Sequence, residues 1–270
     1  SSPLFKNSDQ IGYYLYGNGA TANIGKADMN DNGQARTTLF RIANGANFAG
    51  DTINPENNQS STLKMTLTGE KSIGVYATGT GSTVDTGEAT FTVSGNGAAA
   101  LLLEGGAAGT ISDKTLIELT GSNTTAGIVD GQAHQLNGSK QNAPVETVLN
   151  TSATIRSAVD GLNVIAYVAK NLGNIVLQQD AVIDLASKNS IGVDVQEGGR
   201  LSNGATLNMT AGSGGLADTI TTNGTADGIR LEAGAGSLTA KGVTISALGS
   251  GAGIQNHAES SDITLNDVTI

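Results

Sequence analysis

One short pattern recurs along this chain and constrains it more than any other feature. It reads small residue, apolar, any residue, apolar or small, two variable residues, then glycine. The copies are QIGYYLYGNG from Gln10, SIGVYATGTG from Ser72, NSIGVDVQEGG from Asn189, ADGIRLEAGAG from Ala226 and GAGIQNHAES from Gly251. Looser copies start at Ala99 and Thr125, and a degenerate one at Val164. Taking Gly74, Ala100, Gly127, a residue at Ile165 to Ala166, Gly192, Gly228 and Gly253 as anchors, the intervals are about 26, 27, 38, 27, 36 and 25 residues. The base period is therefore 25–27 residues, with two enlarged copies. A period of this size is the mark of a solenoid, in which no repeat buries its apolar face alone and stacking supplies the core. The interval from Gly12 to Gly74 is 62 residues, which corresponds to two repeats and an insertion.

A second signal precedes the anchors. KMTLTG, TFTVSG, TLIELTG, AVIDLAS, TLNMTAG and TISALG alternate apolar and polar residues and are rich in β-branched types. That is the pattern of a half-buried strand. From its apolar centre to the anchor is seven residues for Leu67, Val93 and Leu185, and eight for Leu119 and Ile245. Residues 158–172, the best helical candidate, contain Gly161 and fall where a repeat is due, so strand is expected there too. The expected fold is all-β: a right-handed parallel β-helix with rungs of about 25 residues and two inserted loops. Each rung is strand, glycine turn, strand, glycine-rich turn and a third short strand.

Composition agrees. Aromatic residues are 3% of the chain and tryptophan is absent, whereas valine, isoleucine, leucine, alanine and threonine fill the apolar positions. Fourteen basic against 24 acidic residues give a net charge of −10, with the cations scattered. Binding to nucleic acid or to an anionic membrane surface rests on clustered lysine and arginine, so neither partner is expected. There is no cysteine, hence no disulfide, thiolate metal site or cysteine nucleophile. No apolar run approaches the roughly 18 residues of a membrane span; the longest, Ala98 to Leu103, stops at Glu104. The chain opens on serine and closes in a strand-like run, so it is expected to be a piece of a longer polypeptide.

Alternation assigns faces. Val75, Val193, Ile229 and Ile254 should point into the core, and the residue after each should point out. The outward stripe expected is Tyr76, Leu102, Val129, a residue near Ala166, Asp194, Arg230 and Gln255, with Tyr14 ahead of it. Its first half is apolar and its second polar, and an exposed apolar stripe marks an interface. Asp194 and Arg230, one rung apart, are expected to pair. The two insertions are residues 131–144, carrying Asn137, Lys140 and Gln141, and residues 212–225, carrying Asp218. Both are expected to leave the rod as loops, the usual place for recognition.

Catalytic and metal patterns are weak. His134 falls in a loop and His257 near the last rung, with no spaced partner, so both are read as solvated and no metal site or cofactor is expected. A carbohydrate-cleaving β-helix needs two or three carboxylates on adjacent rungs; the densest set is Asp180, Asp184, Asp194 and Glu197. Residues 28–33 (Asp-Met-Asn-Asp-Asn-Gly) match the start of a calcium loop. Leu39 stands where that loop needs glutamate, which favours an Asx-rich turn.

The runs IGVYATGTGSTVDT, IGVDVQEGGRLSNGATLNM and GIRLEAGAGSLTAKGVTI resemble rungs of classical autotransporter passengers, the pertactin-like and self-associating adhesin type. The resemblance covers most of residues 10–270. It implies one β-helical passenger fragment over residues 1–270, without signal peptide or C-terminal barrel, displayed on or secreted from a Gram-negative cell surface. It implies adhesion to a host surface, matrix or glycan, or self-association in autoaggregation and biofilm, and no catalysis. No Gly-Asp-Ser-Gly protease signature is present. The alternatives are a β-helical carbohydrate-binding or polysaccharide-cleaving protein, and an inert stalk.

Overall fold

The computed structural model describes residues 5–50, 62–134, 140–141, 143–158, 160–203, 219–222, 227–248 and 250–270. The chain is all-β with no helix among these residues. Its strands fall into two parallel sheets of nine strands, A and B, and one of eight, C, in which successive turns of the chain lie side by side. This is a parallel β-helix. Each turn visits sheet A, then B, then C.

Register in sheet A gives the true repeat. Tyr13, Phe40, Val75, Leu101, Gly127, Tyr167, Val193, Ile229 and Ile254 form one continuous column. The spacings are 27, 35, 26, 26, 40, 26, 36 and 25 residues. The 62-residue N-terminal interval holds two repeats, as expected, and the strand between them, which no copy of the pattern marked, is Thr38–Ala43. A third enlargement lies between the strands Asn47–Gly50 and Leu63–Leu67. The third strand of each rung, only partly visible in the sequence, builds sheet B.

Sheet C corrects one boundary. The strand after Val182–Leu185 is Thr219–Thr222, with Ile183 beside Ile220 and Ile220 beside Ile245. It lies inside the stretch read as a protruding loop, so the rung resumes by Thr219. The segment chosen for that strand, TLNMTAG, lies outside the described residues. Both stretches alternate β-branched and small residues, so local pattern did not separate them.

The interior explains the small anchors. A methyl group at Gly192 would collide with the Gly228 carbonyl and stand 2.6 Å from Ile220 Cγ2. Gly127 has a different cause. Its column position is Leu101 below and Tyr167 above, and a Cβ there would stand 2.9 Å from Tyr167 Cδ1. Glycine leaves room for a buried tyrosine ring, whose hydroxyl lies 2.6 Å from that of Thr151. The anchor of that rung is thus Ala126, one residue earlier and wholly buried. Measured to Ala126, Leu119 has the seven-residue spacing of its neighbours. All four phenylalanines are buried in the aliphatic core.

Turns also stack. Asp9, Arg36, Lys71, Gly97, Asn123, Asn163 and Asn189 all have φ between 53° and 73°, and each of the first six donates its amide to a carbonyl of the next rung's turn. Asn123 donates to Asn96 at 2.7 Å, and Asn163 to Asn123 at 3.1 Å. Asparagine and glycine tolerate this left-handed conformation; lysine and arginine do so at a cost. Residues 28–33 form the expected Asx turn. Asp31, fully buried, accepts from the amides of Gly33, Thr68 and Gly69 and from the Thr68 hydroxyl at 2.8–3.0 Å, so its carboxylate is occupied in joining two rungs.

Two substitutions test this account. Gly192→Ala should lower stability by about 1–3 kcal/mol, the usual range for overpacking. Lys71→Gly should raise it by about 0.5–1 kcal/mol, because glycine relieves left-handed strain but is freer when unfolded. Urea unfolding midpoints measure both, and an unchanged midpoint for Gly192→Ala would contradict the crowding argument.

Candidate functional site

The outward row of sheet A runs Tyr14, Arg41, Tyr76, Leu102, Ile128, Val168, Asp194, Arg230 and Gln255. Tyr76, Leu102, Asp194 and Arg230 stand where alternation placed them. Val129 does not. It is fully buried, stacked between Leu103 and Ala169 in the core, and Ile128 takes the outward place. The error follows from reading Gly127 as the anchor, which shifts this rung by one and exchanges its faces. The outward residue expected near Ala166 is Val168, two positions beyond the buried Ala166.

Arg41, unrecognised in the sequence, sits between two tyrosines, its guanidinium carbon 5.6 Å from the Tyr14 ring centre and 5.0 Å from that of Tyr76. Cation–π attraction holds such a group where hydrogen-bond partners are few. The Tyr76 hydroxyl donates to Glu104 Oε2 at 2.7 Å. Burial, reinforced by the Glu104 carboxylate, raises the Tyr76 phenol above its ordinary pKa.

The expected Asp194–Arg230 pair does not form, although the two are neighbours in register. Arg230 turns to Asp227 at 2.7 Å and reaches Glu232 at 3.8 Å. Asp194 is 4% exposed. Its Oδ2 accepts from Gln196 Nε2 at 2.9 Å, while its Oδ1 has no hydrogen-bond partner among the described residues. Burial raises its pKa above 3.8, the Gln196 hydrogen bond opposes this, Glu232 adds to it, and Arg230 offsets it only weakly.

The first insertion leaves the turn between sheets A and B, as expected, and folds as a hairpin. Ala133–His134 pairs antiparallel with Lys140–Gln141. Asn137 lies outside the described residues, as does Asp218 of the second insertion. The hairpin base turns back over the last column of sheet A, where Thr78, Glu104, Asp130 and Lys170 succeed one another in register. There it builds a buried ionic cluster that sequence reasoning missed.

Glu104 and Asp130 end consecutive strands, and their side chains are 7% and 2% exposed. Glu104 Oε2 accepts from the Tyr76 hydroxyl and from the His134 amide at 3.2 Å. Glu104 Oε1 lies 3.0 Å from His134 Nδ1. Asp130 Oδ1 accepts from the Gln132 amide and Asn171 Nδ2, both at 2.8 Å. Asp130 Oδ2 faces Lys170 Nζ at 3.3 Å and His134 Nδ1 at 4.0 Å. His134 is therefore not a freely solvated side chain, whereas His257 is exposed. Two backbone amides of the hairpin end on these carboxylates, so the cluster ties the insertion to the rod. Glu104 and Asp130 are 26 residues apart and each lies two positions beyond an outward residue, which was the available signal. The carboxylate set singled out from the sequence is not assembled this way: Asp184 is exposed in sheet C beside Arg156, and Asp180 occupies a turn with φ of 70°.

Comparison with protein-family models, curated proteins and solved structures returned no significant match. Among the described residues no helix is long and apolar enough to cross a membrane.

Asp194 yields a signed pH prediction. Its native pKa is raised, so the folded state holds this proton more tightly than the unfolded chain, and stability is lost as pH rises from near 3.8 through the native value. Asp194→Asn removes that loss. The variant should match the parent below pH 3.8 and become the more stable of the two as pH rises, levelling off near neutrality. Urea midpoints across this range measure the difference, and a variant less stable than the parent at pH 7 would contradict it.

Proposed function

We propose that this chain is the non-catalytic, adhesive passenger of a bacterial surface protein, acting through the outer face of sheet A. The observation that carries the reading is the row Tyr14, Arg41, Tyr76, Leu102 and Ile128 on five successive rungs. It brings aromatic, cationic and aliphatic groups to one side of a rod at a constant repeat. Parallel strands stand about 4.8 Å apart, so a second copy laid alongside meets the same groups in phase. Many weak contacts then add without a deep pocket. The partner is a second copy of the chain or a host surface, matrix or glycan. Export to the cell surface and autoaggregation or biofilm as the outcome rest on the resemblance of its rungs to autotransporter passengers.

A second reading, a carbohydrate-binding or carbohydrate-cleaving β-helix, draws on Glu104 and Asp130 in adjacent rungs. Glycoside hydrolysis places two carboxylates on either side of an entering sugar, about 5–9.5 Å apart. The burial of this pair beneath the hairpin base favours the first reading. An inert stalk would do neither.

The test is a settling assay with the chain displayed on a non-aggregating bacterium. The parent should settle rapidly, and excess soluble chain should abolish settling. Leu102→Asp places a charge in the row and should slow settling several-fold at equal display. Thr110→Asp, on the exposed face of sheet B, should behave as the parent. Equal settling by Leu102→Asp removes this row as the interface. No settling by the parent removes self-association and turns the search to matrix and glycan binding.

A further inference from the structure

We propose that Glu104, Asp130 and His134 form a divalent-cation site of the zinc class, which fastens the inserted hairpin to the rod. The proposal is independent of the adhesive reading. One ligand atom from each of the three lies within 4.8 Å of the others. His134 Nδ1 is 3.0 Å from Glu104 Oε1 and 4.0 Å from Asp130 Oδ2. Zinc binds nitrogen and oxygen at about 2.0–2.2 Å, which sets tetrahedral ligands about 3.5 Å apart. The separations bracket that value, so small side-chain rotations bring all three onto one ion.

The surroundings supply a second, independent observation. Each carboxylate has one oxygen held from outside the cluster. From outside it, the Tyr76 hydroxyl fixes Glu104 Oε2, and the Gln132 amide and Asn171 fix Asp130 Oδ1. The other oxygen of Glu104 faces His134 Nδ1 at 3.0 Å, and that of Asp130 lies between Lys170 Nζ at 3.3 Å and His134 Nδ1 at 4.0 Å. Outer-shell donors orient metal-binding carboxylates in this way.

Charge points the same way. Two carboxylates are buried here and a lysine meets one of them, Asp130, and burying a carboxylate is costly unless it is compensated. Lys170 Nζ stands 3.3 Å from Asp130 Oδ2, on a side chain 34% exposed. It serves as a replaceable cation that swings into solvent when a metal enters. One nitrogen and two carboxylate oxygens suit zinc and neighbouring transition metals, whereas calcium takes six to eight oxygens. Asp130 and His134 flank the start of the insertion, and Glu104 belongs to the preceding rung. The ion would thus crosslink loop to scaffold.

The experiment is calorimetric titration of the untagged full chain, stripped with chelator, with zinc chloride alone. One zinc per chain is expected, with no comparable heat from calcium. His134→Ala should weaken binding at least about tenfold, and Glu104→Gln should do likewise. Lys170→Ala removes the competing cation and should tighten binding several-fold, which a loosely bound surface ion would not do. His257→Ala should bind as the parent. Cobalt(II) gives a second readout: a visible absorption band that His134→Ala abolishes while circular dichroism shows the fold intact. Absence of zinc binding overturns the proposal. So does binding that survives His134→Ala, or that is lost with His257→Ala.

Discussion

Parallel hydrogen bonding between successive turns of the chain is the interaction on which the rest depends. It places equivalent residues directly above one another, so each position of a rung becomes a column through the molecule. A column tolerates only side chains that suit the rungs on either side. Interior columns are therefore aliphatic, and a large ring such as Tyr167 is accommodated only because Gly127 stands in the same column one rung below. The left-handed turn residues form another column, whose amides continue the inter-rung bonding through corners where no strand exists.

The same constraint explains why insertions do not disturb the coil. A rung closes its bonds through strands and corner positions, and extra chain is accepted wherever it leaves from a turn and returns to the next strand in register. The enlargements of 35, 40 and 36 residues all resume the columns without a slip. Residues that leave the coil are free of its repeat and can carry chemistry the repeat does not specify. The first insertion does so by returning His134 to Glu104 and Asp130. Its interactions are with the outward ends of two strands, which the packing of the core does not restrict.

The outer face of sheet A thus holds two kinds of group side by side. One row is aromatic and aliphatic over its first half, with Arg41 held between tyrosines. Two positions along the strand lies a column of opposite character, Glu104, Asp130 and Lys170, covered by the hairpin base. Tyr76 joins them, its ring in the row and its hydroxyl on Glu104.

The solenoid, its period, the alternation of faces and most of sheets A and C are legible in the sequence, because they follow from local pattern repeated at a fixed interval. The place of the rung at Thr38–Ala43 within its 62-residue interval is not, since Leu39 stands where other copies carry glycine or alanine. Nor is the inward place of Val129, because two small residues, Ala126 and Gly127, lie together and only the Tyr167 ring decides which is the anchor. The strand Thr219–Thr222 competes locally with a stretch of similar composition, and register with Ile183 and Ile245 decides between them. The cluster of Glu104, Asp130, His134 and Lys170 is the clearest case. Its members come from three rungs and a loop, and no spacing in the chain announces them. What the sequence by itself determined is the coil, through period and alternation. Which residues meet on its surface was decided only by tertiary structure, because stacking joins residues about a rung apart and an insertion's return path is set by the groups it finds there.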